Sequence, residues 1–533
     1  ARHPMPRMRT AAVTTLLLVP IVAGGFLLQE PPARASAHLF DQVRSLVTTR
    51  YVDSLKDTQV FEKAARGMVK ELNDPYSELL SPKESDTFNR STNGRYGGTG
   101  MLLEQQPGAS VSVQRVFPHT PADEAGVREG DRIIAVDGVS TLGWEIDKVS
   151  EKLRGNPGSQ VAVTYARPGV TEPIKLKFTR AVVHVPAVAY TGLFDQQVGY
   201  IPLQTFNENA AEEVSAAVEK LEQQGAKGIV LDMRDNGGGI VDQALAVSGL
   251  FLREGQEIVS VHARNTPTEI ARARGPHIGS NIPLVVLVDG SSASATEIVA
   301  GALQDHDRAL IVGTTSFGKG LVQSVFPLDG GYFLKMTTGK WFTPSGRSIH
   351  RERQLLPDGR FVETHPDSLE TDSARKTRPT FQSDAGRTVY GGGGIAPDVI
   401  VTDDTLSTVE QQFLRSIAPR GQIVQGTLEG YAFELKGTVK RDFVLSPSWT
   451  SEITRRLVQR GVTIEPRFQS AAERLFGREL EHRVARMAFG DAAAKERELR
   501  TDRQLSRAMD LLEKAGTQRE LFTVAHAVIG ARH

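Results

Sequence analysis

Apolar and polar positions along this chain switch period several times, and the switches mark its elements. Leu284 to Val288 is an unbroken apolar run that stops at Asp289-Gly290, which reads as a buried strand. Small residues follow, Ser291 to Ala295. From Ala295 the spacing is helical, with Ile298, Ala302 and Leu303 on one face and Glu297 in the first turn, where negative charge suits the helix dipole. A second apolar run, Ala309 to Val312, leads into Gly313-Thr314-Thr315-Ser316-Phe317-Gly318-Lys319-Gly320, and Leu321 to Phe326 reads as another strand.

Upstream, Val198 to Leu203 and Gly228 to Asp232 read as strands around an amphipathic helix, Ala210 to Gln224, whose Val214, Ala217, Val218 and Leu221 face inward. The second strand runs into Met233-Arg234-Asp235-Asn236-Gly237-Gly238-Gly239, with a helix predicted from about Val241. Residues from His38 to about Arg90 read as helical, broken at Tyr51-Val52-Asp53 and again at Asn73-Asp74-Pro75-Tyr76-Ser77. Tyr96 to about Arg180 instead shows short alternating strands at Val111–Val116, Arg132–Val136, Val161–Tyr165 and Ile174–Phe178. Glu352 to Tyr390 is polar and reads as an irregular insertion, and Asp404 to His533 is mainly helical.

With 533 residues, the chain is too long for one core and implies three or four domains. The 63 basic and 63 acidic residues balance, so neither a nucleic-acid footprint nor a polybasic membrane patch is implied. Cysteine is absent, which excludes disulfides, thiolate metal sites and cysteine nucleophiles. No HExxH or clustered His/Asp pattern occurs, so no metal and no cofactor is expected. Arg2, Arg7 and Arg9 precede the apolar stretch Thr10 to Leu28, and Ala33-Arg34-Ala35-Ser36-Ala37 follows. This is the pattern of an export signal or an N-terminal membrane anchor over residues 1–37, which places the remainder outside the cytoplasm: in the periplasm or on the extracytoplasmic face of the inner membrane.

A serine at a strand-to-helix turn exposes its Oγ beside helix N-terminal amides, where a nucleophile and an oxyanion site are readily combined. Serine needs a base. Lys319 is the candidate, set between Gly318 and Gly320 and flanked by Phe317, Leu321 and Val322. Apolar surroundings lower a lysine pKa, and a base at neutral pH requires a fall from about 10.4 toward roughly 7–8. Two rival readings exist. His306 is the histidine nearest in sequence, but Asp305 and Asp307 flank it in a polar turn, which reads as solvated surface. Gly313-x4-Gly318-Lys319 also mimics a phosphate-binding P-loop, yet Gly320 stands where that loop needs Ser or Thr, and a strand follows where it needs a helix.

S-A-S-A-T-E followed by F-G-K-G-L-V-Q resembles the carboxyl-terminal processing (tail-specific) peptidases, a Ser–Lys serine-protease family. The resemblance implies Ser294 as nucleophile, Lys319 as general base and Gln323 as the residue orienting that lysine, and it covers about residues 38–402. D-x-R-x-N-x-G-G resembles the family segment that supplies an oxyanion-hole amide, here from Gly238 or Gly239 because position 237 is glycine where many members have proline. The second donor is expected to be the N–H of Ala295. Gly67 to Ser77 resembles the family's N-terminal helical region, departing at Asn73, and no function is attached to it.

Pro121-Ala122, Ala125-Gly126 and Gly130-Asp131-Arg132-Ile133-Ile134-Ala135-Val136-Asp137-Gly138 resemble a PDZ domain. Such a domain binds an extended peptide by strand addition and captures its terminal carboxylate on backbone N–H groups. The loop for that carboxylate would be Gly97-Gly98-Thr99-Gly100-Met101.

The expectation is a multidomain α/β chain: a PDZ domain over 96–182 ahead of an α/β, crotonase/ClpP-like serine protease core over 183–405, with 351–390 inserted. A helical region over 38–95 precedes them, and a helical extension over 406–533 follows. A regulatory, oligomerising or substrate-gripping role and a structural cap are all open for that extension. The implied activity is cleavage of protein or peptide substrates with free C-termini. A homo-oligomer and an adaptor protein remain open as partners; nucleic acid is not expected. The rival of another class is a catalytically silent PDZ scaffold of the cell envelope.

Overall fold

A computed structural model describes residues 32–105, 110–167, 169–194, 197–355, 361–363, 377–402 and 406–530. Most of the expected export segment therefore lies outside the described residues. Helices α1 (Pro32–Arg50) and α2 (Asp57–Lys70) begin the chain's described part. The helical reading of residues 38–90 needs one correction. Leu79 and Leu80 are buried in a short strand β1 (Glu78–Leu80), too brief to show a period of its own, before α3 (Pro82–Asn93). A reciprocal cap starts α3: Glu84 N–H donates to Ser81 Oγ at 3.4 Å, and Ser81 N–H donates to the Glu84 carboxylate at 2.7 Å.

The next domain comprises β2 (Arg95–Gly98), β3 (Met101–Glu104), β4 (Ser112–Val116), α4 (Pro121–Glu124), β5 (Arg132–Val136), β6 (Val139–Ser140), α5 (Ile146–Leu153), β7 (Gln160–Ala166), β8 (Ile174–Thr179) and β9 (Ala181–His184). Its sheet runs β3-β4-β5-β7-β8, with β6 on β5. In β7, Val161, Val163 and Tyr165 are buried while their neighbours face outward, the alternation of a sheet with one covered face. An antiparallel ribbon of β2 and β9 joins this domain to the core.

The core contains β10 (Gly192–Phe194), β11 (Val198–Pro202), α6 (Ala210–Gln223), β12 (Gly228–Asp232), α7 (Val241–Phe251), β13 (Glu257–Ala263), β14 (Glu269–Arg272), β15 (Leu284–Val288), α8 (Ala295–Asp305), β16 (Leu310–Gly313), β17 (Leu321–Pro327) and β18 (Phe333–Phe342). Short strands β19 (Arg353–Leu355), β20 (Phe361–Glu363), β21 (Thr380–Gln382), β22 (Thr388–Tyr390) and β23 (Val399–Ile400) follow. The main sheet is ordered β10-β11-β12-β15-β16-β23 and is parallel except for β10. A second sheet, β1-β18-β13-β14 with β17 on β18, carries the strand that follows Lys319. The described parts of the 351–390 insertion are not wholly irregular: β19–β20 and β21–β22 form two hairpins.

The extension folds as α9 (Thr408–Ile417), α10 (Gly421–Leu435), α11 (Pro447–Gln459), α12 (Gln469–Phe489), α13 (Asp491–Arg500), α14 (Arg503–Glu513) and α15 (Gln518–Gly530). Helices α9 to α12 enclose a core of their own around Phe413, Leu428 and Phe476. Helices α14 and α15 do something else. β11, β12 and β15 are buried along their whole length, so both faces of the main sheet need cover. α6, α7 and α8 cover one face, and Leu505, Leu511, Leu512 and Leu521 of α14 and α15 cover the other against Val230, Val285 and Leu287. Leu505 is fully buried, so Leu505→Ala is expected to cost about 2–5 kcal/mol. Urea unfolding measures this, and a loss below about 1 kcal/mol would show that this layer does not support the sheet.

Candidate active site

Strand β15 is followed by Asp289, whose buried carboxylate shapes the small-residue turn. It accepts the N–H groups of Ser291 and Ser292 at 3.0 Å each and that of Asp235 at 3.1 Å. Ser292 Oγ donates at 2.8 Å to Met233 O, joining this turn to the loop after β12. Burial pushes the Asp289 carboxyl up, and these bonds oppose the rise. Ser294 then takes φ +58° and ψ −114°, outside the regions an L-residue prefers. Partly exposed, it caps α8, and strained backbone of this kind marks a residue held by its surroundings. Ala295 opens the helix, and its N–H has no hydrogen-bond partner among the described residues.

Glu297 is the centre of the arrangement. It is fully buried, and its two oxygens accept four hydrogen bonds. Oε2 takes Ser294 N–H at 2.9 Å and Lys319 N–H at 2.8 Å. Oε1 takes Ser316 Oγ at 2.5 Å and Gly318 N–H at 2.6 Å. Burial pushes this carboxyl up, while all four bonds favour its charged form. Phe317 N–H donates to Ser292 O at 2.9 Å, a second direct link between lysine loop and serine turn. The loop's amides thus bind a carboxylate of the protein itself. With a strand after it, the loop is not a phosphate cradle.

Lys319 is pinned by its backbone on both sides. Besides the bond to Glu297, its carbonyl accepts Trp341 Nε1–H at 3.1 Å. Glycine is required beside it: a Cβ on Gly318 would lie 2.8 Å from Arg351 Cβ, and one on Gly320 2.9 Å from His350 backbone. Lys319 Nζ lies 4.9 Å from the centre of the Tyr76 ring. Burial holds its pKa below the usual lysine range, and Lys335 adds to this; Glu297 and Asp74 pull the other way. No hydrogen bond joins Nζ to Ser294 Oγ or to Gln323 among the described residues. Gln323 Nε2 donates instead to Thr337 Oγ1 at 3.3 Å across the β17–β18 pair.

The glycine loop reaches the same place from β12. A Cβ on Gly238 would lie 2.7 Å from Ala293 O and 3.0 Å from both Ala295 N and Ser294 Cβ, so only glycine fits against the serine turn. Gly238 N–H, however, donates to Asn236 Oδ1 at 2.9 Å. Of the three amides expected to serve an oxyanion, Ala295 and Gly239 lack hydrogen-bond partners among the described residues, and Gly238 is committed to Asn236. Phe206 holds this loop: its N–H donates to Gly238 O at 3.1 Å, and its carbonyl accepts Ile240 N–H at 2.7 Å.

His306 is corrected from a solvated surface residue to a structural one. Its ring nitrogens contact Asp384 Oδ2 and Glu257 O, each at 2.7 Å. It also lies at the opposite end of α8 from Ser294, about 18 Å away along the helix. Of the loop Gly97–Met101, Gly97 and Gly98 belong to β2 and pair with Val182 and Ala181. Thr99 and Met101 line a groove of about 400 Å³ between β3 and α5, which extends to Thr205 and Asn207 on either side of Phe206. The sequence reading missed Tyr76 at the lysine and the bonding role of Glu297.

Glu297→Gln keeps the shape but replaces one oxygen with an NH₂ that cannot accept. At least one of the four buried donors then loses its partner, a cost of about 1–3 kcal/mol. Urea unfolding of the purified variant measures the loss, and unchanged stability would remove Glu297 from its central place.

Comparisons with known proteins identify the domains. A model of peptidase family S41 matches residues 197–360, a PDZ-domain model residues 112–167, and a model of the N-terminal domain of the activating protease CtpB residues 29–83. The chain is 38% identical over 316 residues to the carboxy-terminal-processing protease of Bartonella bacilliformis, covering 58% of this chain and 71% of the relative. It is 32% identical to the carboxy-terminal processing protease CtpA of Bacillus subtilis, covering 64% of this chain and 73% of that one. Identity to the carboxyl-terminal-processing protease of Synechocystis is 35%, over 59% of this chain and 74% of the relative. With this likeness across its PDZ domain and its serine-turn core, the chain belongs to the carboxy-terminal-processing serine proteases of peptidase family S41.

Proposed function

We propose that Ser294 is the nucleophile and Lys319 the general base of this protease. The observation that carries the assignment is the Glu297 carboxylate, bonded at once to the N–H of Ser294 and of Lys319. Ser294 Oγ attacks the peptide carbonyl and Lys319 takes its proton, then passes that proton to the nitrogen that leaves as the C–N bond breaks and the acyl-enzyme forms. Of the expected oxyanion donors, the Ala295 and Gly239 amides serve in this scheme, Gly238 N–H being bonded to Asn236, and water, giving a proton to Lys319, then releases the acyl group from Ser294. No hydrogen bond links the two side chains at rest. Catalytic bonds often tighten only when substrate is bound, and Gln323 on the adjoining strand would orient the lysine then. No metal or cofactor enters the scheme.

The PDZ groove supplies the substrate's C-terminus. Thr99 and Met101 stand at its head, and the Gly97–Gly98 backbone that leads into them is fixed by pairing with β9. An extended tail between β3 and α5 ends at the carboxylate loop and approaches Thr205–Asn207, beside the residue that holds the glycine loop. Protein and peptide substrates with free C-termini follow, and with the export pattern of residues 1–37 they would be met outside the cytoplasm. Among the described residues, no helix is long and apolar enough to cross a membrane.

Ser294→Ala is expected to retain the fold and lose proteolysis of an unfolded protein, with products mapped by mass spectrometry. Lys319→Arg keeps the charge but cannot deprotonate, so activity is expected to fall by about 10²–10⁴-fold. The wild-type rate rises with pH as Lys319 loses its proton. Because burial lowers its pKa, the midpoint of that rise lies below the usual lysine range. An active Lys319→Arg enzyme, or a rate that falls across this window, contradicts the assignment.

The carboxylate role is tested with one peptide carrying a free or an amidated C-terminus. Amidation removes charge-assisted bonds worth on the order of 1.5–3 kcal/mol, or about ten- to a hundredfold in apparent affinity. Equal cleavage of both forms would leave the domain to recognise internal sequence or to serve as a lid.

A further inference from the structure

The turn Asn73–Ser77, between α2 and β1, is attached to the strand pair that carries the lysine. β1 pairs with β18, and Thr337 N–H of β18 donates to Ser77 Oγ at 3.0 Å. Within the turn, Asp74 accepts Tyr76 N–H at 3.1 Å and Ser77 Oγ at 2.5 Å. These bonds bring the half-buried Tyr76 ring to 4.9 Å from Lys319 Nζ. The ring is fixed at its far edge as well. Tyr76 Oη accepts Arg353 Nη1–H at 3.0 Å, and Arg353 donates through Nη2 to Phe317 O at 2.6 Å. The Arg353 guanidinium also stacks 3.7 Å over the Phe317 ring. Tyr76 is therefore tied back to the loop two residues ahead of Lys319.

We infer that Tyr76 is a positioning residue for the reaction, its ring face carrying the charged form of Lys319. The inference rests on Lys319 being the general base. An ammonium within about 6 Å of an aromatic centroid is attracted by the ring's negative face, more strongly where water is excluded. The lysine is charged twice in the cycle: at rest at low pH, and again once it has taken the serine proton. Tyr76 supports both states. The other groups facing Lys319 are Lys335 of β18, which opposes its charge, and Glu297 of α8 and Asp74 of the turn, which favour it. Burial pushes the phenol pKa up, so the ring stays neutral, and its oxygen is held by Arg353. A helical N-terminal region without chemistry of its own thus delivers one ring to the active site.

The test is the pH profile of kcat/KM on a single peptide for wild type, Tyr76→Phe and Tyr76→Leu. Leucine keeps the lysine buried but removes the ring face, so the protonated lysine is destabilised. The acid limb is expected to move to lower pH by about 0.5 to 1 unit, with a reduced plateau. Phenylalanine keeps the ring, so its midpoint is expected to match wild type. Should Tyr76→Leu fail to fold in a melting scan, ring-fluorinated phenylalanine at position 76 keeps the shape. Successive fluorines then move the limb stepwise downward. Coincident midpoints across the folded series would overturn the role of Tyr76. Lys319→Arg is run in parallel. Activity in that variant would overturn the base assignment itself, a result distinct from a Tyr76 series that fails to shift.

Discussion

The site depends on one buried carboxylate. Moving the Glu297 charge out of water is costly unless its lone pairs are filled, and four donors fill them. Three of the four are backbone N–H groups, so the carboxylate constrains chain paths rather than side-chain rotamers. It also sits in the first turn of α8, where the helix dipole supports negative charge. To bring Ser316, Gly318 and Lys319 within reach of one residue, the loop must fold tightly. That explains the glycines on either side of the lysine, each pressed against the Ile349–Arg351 segment. The side chains proposed to react, Ser294 and Lys319, have no hydrogen bond to each other among the described residues, while the backbones that bear them are pinned from behind.

A second junction aligns the glycine loop with this frame. Asn236 is fully buried, and its carbonyl accepts Ala293 N–H at 3.0 Å and Thr296 Oγ1 at 2.9 Å. Its side chain reaches Leu203 O at 2.7 Å as well as Gly238 N–H. One residue therefore connects the end of β11, the glycine loop and the serine turn. Phe206 closes the other side of that loop, and its neighbour Asn207 donates to Val185 O at 2.7 Å near the ribbon that leads to the PDZ domain. Gly94, at the start of that ribbon, can only be glycine, since a Cβ there would lie 2.5 Å from Asn207 Nδ2. The path from the groove at Thr99 and Met101 to the glycine loop is thus a run of bonded and packed residues.

What was legible in the sequence follows from the range of the forces involved. The strands at 228–232 and 284–288 and the helix starting at Ala295 agree with their reading to the residue, because each is set by burial of its own side chains. The nearness of Ser294 and Lys319 was readable only through a resemblance, since nothing in either segment states its distance from the other. Glu297 was read as a charge suiting a helix dipole, which is true and incomplete: its partners lie about twenty residues on, in a loop with no periodic signal. Tyr76 carried no signal either. Its contact joins residues more than two hundred positions apart. Strand β1 was hidden for a plainer reason, that three residues cannot display a period.

The C-terminal extension was the least legible part, and physically it is the least dispensable for the sheet. A parallel sheet buried on both faces cannot be finished by the three helices that alternate with its strands on one face. The second face waits for α14 and α15, more than two hundred residues after β11, β12 and β15. Their contact reaches the chemistry as well. Arg234, at the head of the glycine loop, bonds Asp232 at 2.6 Å, Asp502 at 2.7 Å and Gln504 Oε1 at 3.0 Å. Those bonds hold the guanidinium charged, against its burial. The glycine loop proposed to carry the oxyanion amides is therefore anchored at its base by residues of the extension. Because that anchor joins such distant segments, the bonds at the base of this loop are complete only when the last helices have docked. Such pairing is slow to form, since chain entropy is lost before the contacts reward it.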